Sequence, residues 1–305
     1  AQGDWEEYYY DRLYEKATYK NGRYHGKIHL YRDQGSEKAY HAEYTMDEGK
    51  SRHYIAYYEN GQLKEERFYN DKGRLHGNIK AYDKDGNLVD ERNYENGLQQ
   101  GRWMKVNQNG FTTFTDYVDG KKHGEYRELY PNGNVREQGT YNESQEKTGH
   151  WIYGEENGEL RLEEDYLKNR LDGWKREYYK GNLLKSEEEY SGGNRNGKVV
   201  YYDENPHVKT SEGNFADGKR HGAFKVYHNG ILWKETLYRE GREVGNKVYQ
   251  NGKLQIVKLL DETGLLVDVE KYDQQGKRVY RNQNYKKHNS IDLKESASGV
   301  IDVEF

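Results

Sequence analysis

Ten aromatic residues divide most of this chain into equal lengths: Tyr19, Tyr44, Tyr69, Tyr94, Tyr117, Tyr141, Tyr166, Tyr190, Phe215 and Tyr238 stand 23 to 25 residues apart. A glycine series keeps the same step through Gly77, Gly101, Gly124, Gly149, Gly173, Gly197, Gly222 and Gly245. Gly26 begins that series two units earlier, and His53 stands where the intervening glycine would be. A third spacing lies inside the unit. Gly26 to Gly35, Gly77 to Gly86, Gly101 to Gly110, Gly124 to Gly133 and Gly149 to Gly158 are each nine residues apart. A unit of about 24 residues is too short to bury a core alone, so the fold must stack one small motif many times.

The stretch Tyr69 to Tyr94 shows what that motif is. A link with glycine, Asn70 to His76, leads to a short strand from Gly77 to Tyr82. A turn, Asp83 to Gly86, reverses the chain into a second strand that ends on the next anchor tyrosine. Asn-Gly turns recur at Gly61, Gly133, Gly230 and Gly252, where positive φ is easily reached. Leu63, Leu88, Val135, Leu160, Leu183 and Leu232 follow the turn at its second position, mostly an even number of residues before the anchor. They therefore share its strand face. Glu66, Glu91, Gln138, Glu163, Glu187 and Glu235 sit three before the anchor and face the other way. This is the pattern of half-buried strands. Leu160 to Asn169 and Leu183 to Tyr190 are charged enough to suggest helices, but the repeat makes both second strands. The fold expected is all-β, an elongated array of consecutive antiparallel hairpins.

A third of the 305 residues are charged, and 32 tyrosines supply much of the 32% hydrophobic content. Such a composition normally means disorder, but a disordered chain has no reason to hold three spacings in phase. Tyrosine suits a thin sheet, because its ring buries area while its hydroxyl stays wet or bonded. The net charge is −4 with both signs interspersed, which excludes a basic nucleic-acid surface. No apolar run approaches a membrane span. Cysteine is absent, so disulfide and thiolate chemistry are excluded.

Three regions are expected: capping strands at 1–18, the regular array at 19–252, and worn copies with a tail at 253–305. Residues 281–298 read as a polar linker. Gly299 to Phe305, G-V-I-D-V-E-F, reads as a last strand that joins either this sheet or a partner's. Ala1-Gln2 resembles the mature end left by signal-peptide removal, which places the chain in the periplasm or outside the cell. A cytoplasmic location is the alternative.

Gly120-Lys-Lys-His-Gly-Glu-Tyr, ending in Tyr130-Pro-Asn-Gly133, resembles the bacterial MORN-variant repeat, G-[K/R]-x-x-G-x-[W/F/Y]-x-x-[Y/F]-x-x-N-G. Gly218-Lys-Arg-His-Gly-Ala-Phe, ending in Tyr227-His-Asn-Gly230, resembles it equally. The resemblance runs from Tyr19 to Gly252. It implies a twisted sheet of hairpins used for protein contacts. Proteins of this type are often described as antitoxin-like by association, and lipid binding has been proposed for some eukaryotic members. The units Tyr44 to Tyr69 and Tyr190 to Phe215 depart from the motif.

No constellation points to chemistry, and no enzyme activity, metal or cofactor is expected. His25, His76, His123 and His221 precede link glycines one unit apart, too far for one ion. They read as link residues bonded to the neighbouring unit, replaced elsewhere by Gln100, Thr148, Asp172 and Asn196. Acid runs such as Glu163-Glu164 and Glu187 to Glu189 lie along strands instead of converging across a pocket. Trp103, Tyr126, Trp151 and Trp174 fall in successive units. They either stack on one another as cross-strand pairs or offer a ladder to sugars or a protein. The other candidates are Val300, Ile301, Val303 and Phe305 in the terminal strand. The reading is a binding scaffold for a protein partner, an accessory subunit of a larger bacterial cell-envelope assembly. A carbohydrate-binding module is the alternative.

Overall fold

The structure, a computed structural model, describes residues 2–10, 12–31, 40–283, 293–295 and 301–303. It divides into two compact units, one of residues 1–184 with 191–193, the other of residues 185–190 with 194–305. In the first, strands run from Gly3–Tyr9 to Arg170–Tyr179, and each main strand pairs antiparallel with the next. In the second, the same order runs from Asn194–Tyr202 to Arg278–Gln283. Among the described residues there is no α-helix, only a 3₁₀ turn at Lys180–Asn182. Leu160–Leu167 and Leu183–Ser191 are strands, as the repeat requires.

The register explains the link glycines. Thr115 pairs with Tyr126 and Tyr117 with Lys122, so Asp116 faces three residues, His123 to Glu125. This bulge holds two extra residues, and the chain must turn sharply inside it. Gly124 supplies the turn with φ near 102°. The same two-residue excess occurs at Gly149, Gly173 and Gly222, all with positive φ. Two links differ. At His53 and at Gly245 only one extra residue is accommodated, and neither adopts positive φ. The missing glycine of the series is thus a change of bulge type, and the Tyr40–Asp47 and Lys50–Tyr57 hairpin around it is otherwise regular. Gly245 is held to glycine by space instead, since a Cβ would lie 2.7 Å from the carbonyl oxygen of Lys258.

The bulge is filled in two ways. At Gly124, Gly173 and Gly197 the residue before the anchor is acidic, and its carboxylate accepts the next backbone N–H. Asp116 accepts from Glu125 at 3.2 Å, Asp165 from Trp174 at 2.9 Å and Glu189 from Lys198 at 3.1 Å. At Gly149 and Gly222 a ring does the work. Trp151 lies over Gly139 and Phe224 over Gly213, so close that a Cβ there would stand 2.1 and 2.5 Å from ring atoms. Covering a strand glycine with a neighbouring ring restores the lost packing.

The hairpin turns fix the period. Tyr58 and Tyr130 donate their hydroxyls to the carbonyls of Tyr82 and Gly154, at 2.7 and 3.2 Å. Asn60 and Asn132 donate side-chain amides to the carbonyls of Lys84 and Glu156, at 3.2 and 2.6 Å. Every pair spans 24 residues, so adding or removing a residue breaks the contact. At the opposite edge the backbone N–H of Gly97, Gly120 and Gly193 reaches the carbonyls of Leu75, Gln99 and Leu171. The Asn-Gly dipeptides make two different turns. At Asn229-Gly230 and Asn251-Gly252 both residues have positive φ, the two-residue hairpin loop. At Gly61 and Gly133 only the glycine does, closing a longer loop.

Hairpins persist past Gly252. Lys253–Leu260, Leu266–Tyr272 and Arg278–Gln283 pair in sequence, and the turn glycines Gly252 and Gly276 are still 24 residues apart. The expected linker at 281–298 therefore begins inside a strand. Leu293–Glu295 and Ile301–Val303 form a separate antiparallel pair, so within the described residues Ile301 and Val303 pair with their own chain. Val300 and Phe305 lie outside the described residues.

Replacing Gly124 or Gly173 by valine is expected to lower unfolding free energy by about 1–3 kcal/mol, since each adds strain at positive φ and a Cβ against an aspartate. Urea denaturation followed by circular dichroism measures it. Unchanged midpoints in both variants would falsify the backbone role of these glycines.

Candidate interaction surface

On one face of the first unit the rings form an almost continuous column. Trp103 sits 5.2 Å from Tyr94 and 4.7 Å from Tyr117, and its indole N–H donates to the carbonyl of Asn93 at 3.0 Å. Tyr126 packs 5.7 Å from Tyr141 and 5.9 Å from Trp151. Trp151 also meets Tyr141 and Tyr166, and is 0% exposed. Its indole N–H has no hydrogen-bond partner, so ring contacts and burial alone hold it. Lys147 extends over this ring at 3.9 Å, donating to Glu137 at 2.8 Å and to the Tyr153 hydroxyl at 2.9 Å. Burial opposes the Lys147 charge, but Glu137 and Tyr153 outweigh it and hold its pKa above the ordinary lysine value. Burial likewise pushes up the Tyr126 phenol.

Trp174 does not join the column. The position two after its link glycine is Lys175, which pairs with Glu164. Trp174 is one after, so the period of two turns it to the opposite face, where the Arg176 guanidinium lies 5.3 Å from its ring. Tyr126 and Trp151 are therefore brought together, while Trp103 meets the anchors Tyr94 and Tyr117 and is separated from Tyr126 by Thr115, which pairs with both.

The same alternation separates the acid runs. Glu163 accepts from the Tyr178 hydroxyl at 2.6 Å on one face, and Glu164 from Tyr166 at 2.6 Å on the other. In the second unit Glu188 is buried and accepts from Tyr190, Tyr201 and Arg195 at 2.7 to 3.2 Å. Burial works to raise its pKa, but the bonds from Tyr201, Arg195 and Tyr190 prevail and hold it below 4.5. The link histidine position is an acceptor. His76, Gln100 and Asn196 take the backbone N–H of Asn96, Asp119 and Asp217 in the following unit, at 3.5, 2.9 and 3.4 Å. His, Gln and Asn exchange freely there because each offers one acceptor. Among the described residues no three His, Asp or Glu side chains are placed to hold a metal. No helix there is long and apolar enough to cross a membrane.

Three stretches, residues 53–71, 75–96 and 122–143, match the family model described as MORN repeat variant. These are MORN-variant repeats. A comparison with curated proteins finds no match. MORN repeats suggest a binding or scaffold role in general terms, and here the recurring geometry of hairpin and link holds neighbouring units together.

Exposed large apolar residues occur singly along the array, at Leu98, Val118 and Leu167, and in groups toward its first and last strands. Trp5, Tyr8, Tyr9, Tyr10 and Tyr14 are exposed in and after Gly3–Tyr9. Ile231, Trp233, Leu265, Leu266, Val279 and Tyr280 are exposed in the last strands of the second unit. Trp233, 44% exposed, stacks on His228 at 4.7 Å and borders an open groove of about 780 Å³ with Ile231, Tyr249, Ile256 and Val279. Sequence spacing missed these residues because they stand outside the ladder positions. The signals were the run W-E-E-Y-Y-Y and the aliphatic enrichment after Gln255.

Trp151→Ala is expected to lose about 3–5 kcal/mol, while Trp151→Phe, which forfeits no hydrogen bond, loses far less. Thermal melts of the pair measure the difference. Glu188 contributes stability above its unfolded pKa near 4.5, and that contribution disappears as pH falls through its lower folded value. The gap in stability between wild type and Glu188→Gln should therefore be widest near neutrality and shrink as pH falls below the unfolded value. Urea titrations across pH 3 to 7 read this, and a gap constant with pH excludes the linkage.

Proposed function

We propose that this protein is a non-catalytic scaffold that binds a partner protein, as an accessory subunit of a larger assembly in a bacterial cell envelope. The observation that carries the reading is the second unit's exposed apolar surface. Ile231, Trp233 and Val279 stand around an open groove, while the array's ladder rings are consumed internally. A partly exposed tryptophan beside aliphatic residues in a concavity has the composition of an interface centre. The repeat type supports a binding role in general terms. Placement in the periplasm or outside the cell belongs to the same proposal. A chain without cysteine tolerates an oxidising compartment, and cell fractionation tests the location.

A second reading, carbohydrate binding, draws on the same groove. Trp233 is a ring platform, and the side-chain amides of Gln250, Asn251 and Gln255 line the space beside it. Planar amides next to an aromatic face suit sugar hydroxyls and their apolar ring face.

One set of variants separates these. Trp233→Asp and Ile231→Asp are both on exposed positions and should leave the fold intact. Under the scaffold reading, each abolishes recovery of a defined partner band from the native membrane fraction after cross-linking, and glycan arrays stay blank. Array signals that vanish with Trp233→Asp would support the carbohydrate reading. A partner band unaffected by both substitutions places the interface elsewhere and ends the proposal for this groove.

A further inference from the structure

The arginines of the described residues fall into two groups. Most are engaged, as Arg67 is by Glu65, Arg92 by Asp90 and Arg136 by Glu128. Arg23, Arg74, Arg170 and Arg242 are exposed, and among the described residues no ion pair, side-chain hydrogen bond or ring engages their guanidinium groups. All four occupy one place in the repeat, directly after a positive-φ residue that closes the link turn: Gly22, Gly73, Asn169 or Gly241. Lys50, Lys121 and Lys219 stand at the same place in other units, after Gly49, Gly120 and Gly218.

In the first unit these residues form a row along the link edge. Arg23 leans on the next link, where a Cβ on Gly49 would lie 3.6 Å from its side chain. Lys50 reaches the link after that and donates to the carbonyl of Asp71 at 3.0 Å. Arg74 lies 3.5 Å from where a Cβ on Gly97 would stand, and Leu98 3.6 Å from one on Gly120, beside Lys121. Leu98 interrupts the charge but makes the same hairpin, pairing with Glu95 as Lys121 pairs with Val118. The turn therefore does not itself require a base. Glu146 ends the run, its carboxylate accepting from Asn142 at 3.1 Å. Acids flank the row at Glu48, Glu95 and Asp119, while Asp47 and Asp71 are engaged by Arg52. The opposite edge has the other sign, its turns carrying Asp83, Asp85, Glu155, Glu156 and Glu159 with Lys84.

Single cations repeated every two strands, about 10 Å apart, match a linear polyanion with sparse charges. Nucleic acid is too dense, with a phosphate about every 3.4 Å along each strand. A flat anionic bilayer would meet the flanking acids together with the bases. Guanidinium forks grip carboxylates bidentately. Beside Arg74 the amides of Asn70 and Asn96 bond each other at 2.9 Å at the surface, and side-chain amides suit sugar hydroxyls. We infer that the link edge of the first unit, at Arg23, Lys50, Arg74 and Lys121, binds an acidic polysaccharide whose carboxylates recur once per disaccharide. The site shares no residue with the groove around Trp233, and it stands whichever reading of that groove holds.

Calorimetric titration of the full chain with hyaluronate, a polymer with one carboxylate per disaccharide, tests this. Wild type should bind, and more weakly as salt rises. Arg23→Glu and Arg74→Glu should each weaken binding about fivefold. Both positions are exposed and unpaired, so circular dichroism and melting should not change. Lys84→Glu makes the same change of charge on the opposite edge and should leave binding as it is. Leu98→Arg fills the gap between Arg74 and Lys121 and should tighten it. A wild type that does not bind, or equal losses in Arg74→Glu and Lys84→Glu, overturns the proposal. So does tighter binding of poly-L-glutamate, single-stranded DNA or phosphatidylglycerol vesicles than of hyaluronate at the same salt.

Discussion

The structure depends on the two-residue bulge at the link between units. Each hairpin must leave one unit and begin the next without losing the ladder, and the extra residues at Gly124, Gly149, Gly173 and Gly222 are where that happens. A bulge frees a backbone N–H and bends the strand, so something must satisfy the one and fill the other. A carboxylate one residue before the anchor does both at Asp116 and Asp165. A ring laid over a glycine fills the space at Trp151 and Phe224. The repeat tolerates such different side chains because they solve one geometric problem.

The second constraint is that, among the described residues, no α-helix is present to supply a covering layer. Burial must come from side chains lying along the sheet, which explains why the large rings pack on one another and why charged residues are half-covered. Trp151 reaches complete burial only because Tyr126, Tyr141, Tyr166 and Lys147 surround it. Glu188 is buried for the same reason, under two tyrosines and an arginine. An aromatic ladder of this kind stabilises the array and leaves few ring faces for a ligand.

Much of this was determined by the sequence alone. The aromatic and glycine spacings, with turn residues between short alternating segments, pointed to consecutive antiparallel hairpins. His76 was legible as a neighbour-bonding residue, since Gln100 and Asn196 stand at the same position in other units and bond in the same way. The separation of Glu163 and Glu164 onto opposite faces was legible, since alternate strand residues face apart. Tertiary structure decided what depends on register. It set Lys175, and not Trp174, in the ring column, because one residue of offset reverses the face. It made His53 the site of a smaller bulge, which needs no glycine. It extended the hairpins to Gln283, where the anchor tyrosine and link glycine are no longer recognisable, because ladder hydrogen bonds are made by the backbone and need neither side-chain landmark. And it located the exposed apolar surface, because exposure depends on which neighbour lies across the sheet, and spacing along the chain does not record that.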